Sequence, residues 1–307
     1  MEEMLDHELF VVVGVDNSEA ERMARPRVSY MKDAWRRFRE NKVATLSLIL
    51  LVVLVALVIL GPAISGYSYE QIDQASRNLA PNAQHWFGTD KLGRDLFARV
   101  WQGGRVSMII GIVGALVSSV VGCIYGGISG YFGGRVDDIM MRVVEVLISV
   151  PYLIVVILLS VVLQSKSLFT LILAMTITGW CGIARLVRGQ VLQVKSQEYI
   201  MAAQALGVSS WRIILRHVIP NLLSVVIVAI TFDIPGYIFG EAFLSFIGLG
   251  IQPPNTSWGA LASSAQNLYT FYPYQLFIPA LMIALTMLAF TLLGDGLRDA
   301  LDPRQRK

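Results

Sequence analysis

The chain has 307 residues, of which 55% are hydrophobic and 15% are charged, and its mean hydropathy is +0.59. Soluble domains have about 45–50% apolar and roughly 25% charged residues, so a single soluble domain is excluded. The net charge is +3. Several apolar blocks reach the roughly 20 residues that a helix needs to cross the hydrocarbon core of a bilayer. The composition therefore indicates a polytopic membrane protein.

Six apolar segments predict an all-α chain with six transmembrane helices. Their approximate bounds are 43–65, 106–132, 143–163, 167–185, 218–247 and 272–294. With the N-terminus placed inside, nineteen of the 25 Lys and Arg residues fall on the inner side. Because cytoplasmic loops are enriched in basic residues, both termini are predicted to be cytoplasmic. The positive charge thus reports topology, and no nucleic-acid partner is expected.

The N-terminal region is predicted to carry a short helix in the membrane interface, in contact with lipid. Met31, Ala34, Trp35 and Phe38 recur at helical spacing, and cations lie between them. This pattern is typical of an interfacial amphipathic helix. A solvated basic lead-in to the first span is the alternative. The predicted organisation is a cytoplasmic segment at 1–42, a first transmembrane helix at 43–65, an extracytoplasmic loop at 66–105, a transmembrane core at 106–297 and a cytoplasmic tail at 298–307.

Glycine and proline predict local features of two spans. Gly122, Gly126, Gly130 and Gly134 repeat every four residues, which places small residues on one helix face and favours close packing of another helix. Pro235 lacks an amide hydrogen and is expected to kink or break the fifth span. An ordinary kink without a functional role is the alternative for Pro235.

The chain shows no assembled catalytic set, so it is not expected to be an enzyme. Its three histidines, His7, His85 and His217, are scattered, and no metal site is predicted. Ionisable residues within the spans, such as Asp233 and Glu241, usually face a bundle interior or an aqueous path. A self-sufficient carrier typically shows a relay of acids or inverted repeats, and we find neither. A carrier or channel nevertheless remains an alternative to a transporter driven by a partner.

The longest inner loop, about 186–217, predicts two short helices joined by a turn. The helix-forming run that begins at Glu198 ends before Gly207, which can supply a positive φ. Ser209 and Ser210 can cap the helix that follows. Pro220 then leads into the fifth span. Such a pair offers a surface on which another protein can push, whereas a solvated loop is the alternative.

This loop resembles the EAA loop of bacterial ABC importer permeases. Ala202, Ala203, Gly207 and Pro220 match that pattern in register, whereas Met201 stands where the pattern has Glu. The loop extends over about 195–220.

Three further stretches resemble the dipeptide, oligopeptide and nickel permease family. They are Phe87-Gly-Thr-Asp-Lys-Leu-Gly-Arg-Asp-Leu96, Glu241-Ala-Phe-Leu-Ser-Phe-Ile-Gly-Leu-Gly250 and a C-terminal stretch that begins Gly294-Asp-Gly-Leu-Arg298 and continues to Arg304. The basic lead with Trp35-Arg-Arg-Phe38 looks most like the second permease subunit of oligopeptide importers.

The resemblance implies a type I ABC importer permease in a bacterial or archaeal cytoplasmic membrane. The chain would form half of a path for peptides, with dipeptides, nickel or another small solute as alternatives. Implied partners are a second permease subunit, two cytoplasmic ATPases and an extracytoplasmic substrate-binding protein. ATP and Mg would be bound by the ATPases, and no cofactor is expected in this chain.

The predicted site residues fall into three groups. Those implied to couple to the ATPase are Glu198, Ala202, Ala203, Ala205, Gly207, Ser209, Arg212 and Pro220. Those expected along the translocation path are Asp233, Pro235 and Glu241. Candidates for contact with the binding protein are Thr89, Asp90, Arg94 and Asp95, together with 250–267. The alternative for the last group is internal pairing that only fixes the loop.

Overall fold

The computed structural model describes residues 30–163 and 167–302, and within them the fold is helical with no named strand. Residues 1–29 of the predicted N-terminal segment and 303–307 of the predicted tail lie outside the described residues. The helices are α1 Tyr30–Glu40, α2 Lys42–Ile64, α3 Leu96–Phe132, α4 Gly134–Ser149, α5 Tyr152–Val162, α6 Leu168–Lys195, α7 Glu198–Ala205, α8 Ser210–Ile213, α9 Ile219–Phe246, α10 Trp258–Ala265 and α11 Pro273–Leu301. A π-helical turn at Ile214–Val218 joins α8 to α9.

Five helical stretches are long and apolar enough to cross a membrane, and a sixth crossing results if α4 and α5 count as one span. These two helices meet at a bend of 81°, so the predicted span at 143–163 is divided by a bend. The bend lies at Pro151, because a residue before proline is driven out of the helical region. Val150 is accordingly extended, with φ −83° and ψ 124°.

Two further predictions about helix bounds are corrected. α3 begins at Leu96 rather than near 106, because the Asp95 side chain accepts a hydrogen bond from the Ala98 amide at 2.7 Å and caps the helix. The last ten residues of the predicted loop, 96–105, are therefore helical. Pro235 does not break α9, which continues from Ile219 to Phe246, so of the predicted kink or break the break is excluded. Proline removes one backbone bond, and packing against neighbouring helices tolerates that loss within a membrane protein.

Three of the four predicted glycines form a stripe on α3 that packs against α6, whereas Gly134 lies in α4. A Cβ added at Gly122 would lie 2.7 Å from the Ile183 Cβ atom, and one at Gly130 would lie 2.9 Å from the Arg188 carbonyl oxygen. At Gly126 a Cβ would collide with the Ala184 carbonyl. The two helices therefore approach so closely that no larger residue fits at these positions.

Helix α1 forms as predicted, and its buried face packs on α11. Phe38 and Ala34 are buried, and Phe38 lies in one cluster with Ala44 and Ala300. Trp35 remains exposed beside Phe38. The N-terminal helix is thereby held against the end of the last helix.

Candidate functional site

The helix pair between α6 and α9 is the candidate site, and its turn closes through backbone bonds. α7 ends at Ala205, and Gly207 follows with a φ of +74°. The Gly207 amide donates to the Gln204 carbonyl at 3.0 Å, and the Val208 amide donates to the Ala203 carbonyl at 3.1 Å. These two bonds form a Schellman motif, which ends a helix at a left-handed residue. The predicted positive φ at Gly207 is confirmed.

The inner face of the pair is anchored in an apolar cluster at one end of the bundle. Ile200 of α7 and Ile213 of α8 are fully buried. They share this cluster with residues of the neighbouring helices, namely Tyr131, Val187, Val191, Ile214, Val218 and Leu222. Because protein interiors are close-packed, a displacement of the pair is transmitted to α6 and α9.

The outer face of the pair exposes an unusual amount of apolar surface. Leu206 is 83% exposed, and Met201 of α7 is exposed as well. Trp211 and Leu215 are also exposed, but they line an apolar groove together with Cys123 and Ile124 of α3. Ala202 and Ala205 are also exposed, whereas Ala203 is half-buried and packs on the inner cluster. The resemblance assigns Ala202 and Ala203 one docking role, but only Ala202 faces outward.

The remaining predicted coupling residues lie around this outer face. Glu198 begins α7, Arg212 lies in α8 and Pro220 lies in the first turn of α9, and all three are exposed. Ser209 precedes α8, but its hydroxyl makes no capping bond. The predicted side-chain cap is therefore wrong. The Ser209 side chain is exposed to solvent. Its backbone carbonyl accepts a hydrogen bond from the Ile213 amide at 3.1 Å.

An ion pair next to the helix pair is a feature that the sequence analysis missed. Arg188 of α6 donates to both carboxylate oxygens of Asp137 at the start of α4, at 2.6 and 2.5 Å. Ser129 of α3 donates to the same carboxylate at 2.5 Å. A bidentate arginine–carboxylate pair fixes geometry as well as charge. Three helices are thus tied together next to the end of α6.

The residues predicted along a translocation path separate into buried and cavity-lining groups. Asp233 is half-buried and lines a cavity between α5, α6 and α9. Pro235 is buried, and Glu241 is completely buried. The Glu241 carboxylate accepts hydrogen bonds from Ser107 at 3.0 Å and from Ser245 at 2.6 Å. Glu241 therefore joins α3 to α9 and does not line an open path in this conformation.

Thr89 is buried in the loop before α3, and its side chain supports the loop itself. Its hydroxyl accepts a hydrogen bond from the Leu79 amide at 2.8 Å and donates to the Ser76 carbonyl at 2.5 Å. In addition, the Thr89 carbonyl accepts a hydrogen bond from the Gln275 side chain of α11 at 2.9 Å. The loop is thereby fastened to the last helix.

Three charged residues of the same loop, Asp90, Arg94 and Asp95, are also paired internally. Asp90 accepts a hydrogen bond from the Arg94 guanidinium at 2.8 Å. Asp95, which caps α3, also lies 2.9 Å from the His85 ring nitrogen. Both carboxylates are buried, and Arg94 is half-buried. These contacts favour the internal alternative over direct contact with a binding protein.

The stretch 250–267 is partly buried as well. The indole of Trp258 is fully buried and donates to the Val100 carbonyl at 2.8 Å. The segment 252–255 is exposed. Of this stretch, the four-residue segment is therefore the most accessible to a partner.

Together, the helical spans and the anchored helix pair define a polytopic membrane protein. A family model described as "Binding-protein-dependent transport system inner membrane component" matches residues 118–307. A second one, described as "N-terminal TM domain of oligopeptide transport permease C", matches residues 29–81. The chain belongs to the family of inner membrane components of binding-protein-dependent transport systems.

Curated relatives match over nearly the whole chain. The chain is 48% identical to the dipeptide transport system permease protein DppC of Bacillus subtilis (strain 168), and the match covers 98% of this chain and 94% of the relative. It is 47% identical to the oligopeptide transport system permease protein OppC of the same organism, over 97% and 98% of the two chains. It is 40% identical to the glutathione transport system permease protein GsiD of Escherichia coli O6:K15:H31 (strain 536 / UPEC), over 88% and 89%.

The fold also resembles a solved structure. A chain of the methionine ABC transporter MetNI, in an inward-facing conformation, matches with a TM-score of 0.54 at 18% identity. The match covers 67% of this chain and 96% of that chain. This likeness shows a shared permease fold.

Proposed function

We propose that this chain is one of two permease subunits of an ATP-driven importer for peptides. The names of the relatives supply the substrate class, since they include dipeptide and oligopeptide permeases. The match of residues 29–81 to the oligopeptide permease C domain favours oligopeptides. In the proposed arrangement the chain crosses the membrane six times, with α4 and α5 counted as one span. Both termini lie in the cytoplasm of a bacterial or archaeal cell.

The observation that carries this proposal is the anchored helix pair with an apolar outer face. Its inner face is committed to the bundle through Ile200 and Ile213, whereas Met201 and Leu206 are exposed. A soluble partner that covers these side chains would remove apolar surface from water, which favours association. We assign this surface to a cytoplasmic ATPase, which binds ATP and Mg on its own chain.

The proposed mechanism is alternating access driven by the ATPases. ATP binding draws two ATPases together, and each carries the helix pair of one permease subunit with it. Because the pair is packed on α6 and α9, its displacement would shift these helices and open the path on the outer side. A ligand shifts a conformational equilibrium only through its different affinity for the two states, and here the ATPase supplies that difference.

The experiment is purification of the tagged chain from its native membranes, followed by identification of the chains that accompany it. The recovered complex is then reconstituted into liposomes, and uptake of labelled trialanine is measured with the extracytoplasmic binding protein, with and without ATP. We expect a second permease, one or two ATPases and strictly ATP-dependent uptake.

Two results would contradict the proposal. Transport by this chain alone without ATP would favour a self-sufficient carrier or channel. ATP-dependent uptake of nickel in place of trialanine, measured in the same liposomes, would retain the importer and overturn the peptide substrate.

A further inference from the structure

A cavity of about 190 Å³ lies between α5, α6 and α9. One stripe of α9 lines it, because Asp233, Gly236, Tyr237 and Gly240 follow the spacing that places residues on one helix face. Tyr152 of α5 is among the residues that complete the wall. The cavity thus combines one carboxylate, two phenol rings and glycines that leave space.

The Asp233 carboxylate has no hydrogen bond and no ion pair with any residue in the described ranges 30–163 and 167–302. It is half-buried within a membrane-spanning helix. A carboxylate at such a depth is costly unless a cation or water compensates it, and such residues usually mark a pathway for substrate or ions. The unpaired carboxylate therefore calls for a cation from outside this chain.

The rest of the cavity offers a hydrogen-bond acceptor and open volume. The Tyr152 hydroxyl oxygen is buried and has no hydrogen-bond partner among the described residues. A Cβ added at Gly240 would lie 3.6 Å from that oxygen and 2.9 Å from the Met175 methyl carbon. A Cβ added at Gly236 would meet nothing within 4 Å. The glycines thus keep the space beside the carboxylate open.

We infer that this cavity binds the ammonium group of a peptide as the peptide passes through the permease. An ammonium group carries one positive charge and three donors. The charge faces the Asp233 carboxylate. The Tyr152 hydroxyl lies beside Gly240, about two helical turns further along α9, and is available to a donor elsewhere on the peptide. The inference rests on the proposed function for the class of substrate, whereas the preference of the cavity for cations rests on its own residues.

The test measures the cation preference of the cavity directly in the intact reconstituted complex. Gly236→Cys places a thiol in the cavity, in a background in which Cys123 and Cys181 are replaced by alanine. The thiol is treated with methanethiosulfonate reagents that carry either a trimethylammonium or a sulfonate group. Met175→Cys supplies a second position in the same cavity. Gly189→Cys, at an exposed site on α6 with nothing within 4 Å of its Cβ, reports general reagent access.

We expect the cationic reagent to react about tenfold faster than the anionic one, which corresponds to about 1.4 kcal/mol. Asp233→Asn should abolish this difference, and Asp233→Glu should retain it. Trialanine should slow modification of the introduced thiol when Asp233 is present. It should have no such effect in the Asp233→Asn variant. If both reagents react at equal rates while Asp233 is present, a cation of the second permease already neutralises the carboxylate. That result would overturn the inference.

A preference that survives Asp233→Asn would likewise overturn the inference. The proposed function is tested separately, by ATP-dependent uptake of trialanine in the complex with native Gly236. If the cation preference is lost while uptake remains intact, only the assignment of the cavity to the ammonium group is refuted. If uptake is absent while the cation preference remains intact, only the proposed function as a peptide importer is refuted.

Discussion

The Val208 amide donates a hydrogen bond to the Ala203 carbonyl at 3.1 Å, across a turn that Gly207 enters with a φ of +74°. A Cβ at Gly207 would meet nothing within 4 Å, so glycine is required here for its backbone conformation and not for space. The turn sets the direction in which α8 leaves α7. The shape of the outer surface therefore depends on one dihedral angle.

Replacement of Gly207 by valine should uncouple ATP hydrolysis from uptake. A side chain in the left-handed region costs about 1–2 kcal/mol, and a β-branched residue tolerates it worst. The turn should shift while the bundle remains folded. We expect a normal amount of protein in the membrane and a reduced number of peptides moved per ATP hydrolysed. Asparagine adopts this conformation more readily, so Gly207→Asn is the matched control and should retain more coupling. Normal uptake by Gly207→Val would contradict the coupling role.

Neighbouring alanines on α7 should respond differently to the same substitution. Ala202 is exposed, so Ala202→Leu should leave the thermal stability of the subunit unchanged and weaken its association with the ATPase. Ala203 packs on the inner cluster, so Ala203→Leu should overfill it and cost about 1–3 kcal/mol. Thermal unfolding in detergent and co-purification of the ATPase separate the two effects. Equal loss of stability in both variants would show that the assignment of faces is wrong.

Local signals predicted much of this fold, because they depend on residues close in sequence. The apolar blocks predicted most of the spans, and the positive φ followed from Gly207 within its helix-forming run. The division between Ala202 and Ala203 could not be predicted from the motif, because it depends on how α7 rests on α6.

Contacts between distant residues account for most of what the sequence did not reveal. Asp137 and Arg188 are 51 residues apart, and Ser107 and Glu241 are 134 residues apart. A sequence pattern gives no distance between such residues. Glu241 was therefore expected along a path, although its carboxylate is enclosed between α3 and α9.

The pair of Asp137 and Arg188 should contribute to stability as a unit. Removal of one partner from a buried pair costs about 3–5 kcal/mol, and we expect about 2 kcal/mol here because the Arg188 side chain is 36% exposed. Arg188→Met should therefore lower the unfolding temperature more than the double variant with Asp137→Asn. A double-mutant cycle in detergent measures the coupling. Strictly additive effects would show that the two side chains stabilise the subunit independently.

Glu241 should tolerate glutamine better than leucine. Glutamine retains a carbonyl oxygen that can accept a hydrogen bond from Ser107 or Ser245, whereas leucine leaves both buried hydroxyls without this acceptor. Each buried polar group left unsatisfied costs about 1–3 kcal/mol. We expect Glu241→Gln to remain close to the parent in thermal unfolding and in uptake, and Glu241→Leu to unfold at a lower temperature. A specific loss of uptake in Glu241→Gln with unchanged stability would instead restore the predicted role in the path.

Asp95 should stabilise the loop before α3 rather than contact a binding protein. Its carboxylate accepts a hydrogen bond from the Ala98 amide at 2.7 Å and lies 2.9 Å from the His85 ring nitrogen, and it is buried. Loss of an N-cap costs about 1 kcal/mol, so Asp95→Ala should lower stability, whereas Asp95→Asn should retain the cap. Lys91→Ala, at an exposed position of the same loop, is the control for a change without lost contacts.

The measurements that separate the two roles of Asp95 are thermal unfolding and the affinity of the complex for its binding protein. We expect the affinity to fall only in variants whose stability also falls, because the side chain acts through the shape of the loop. An Asp95→Asn variant with parental stability and weakened binding would show that the carboxylate contacts the binding protein directly.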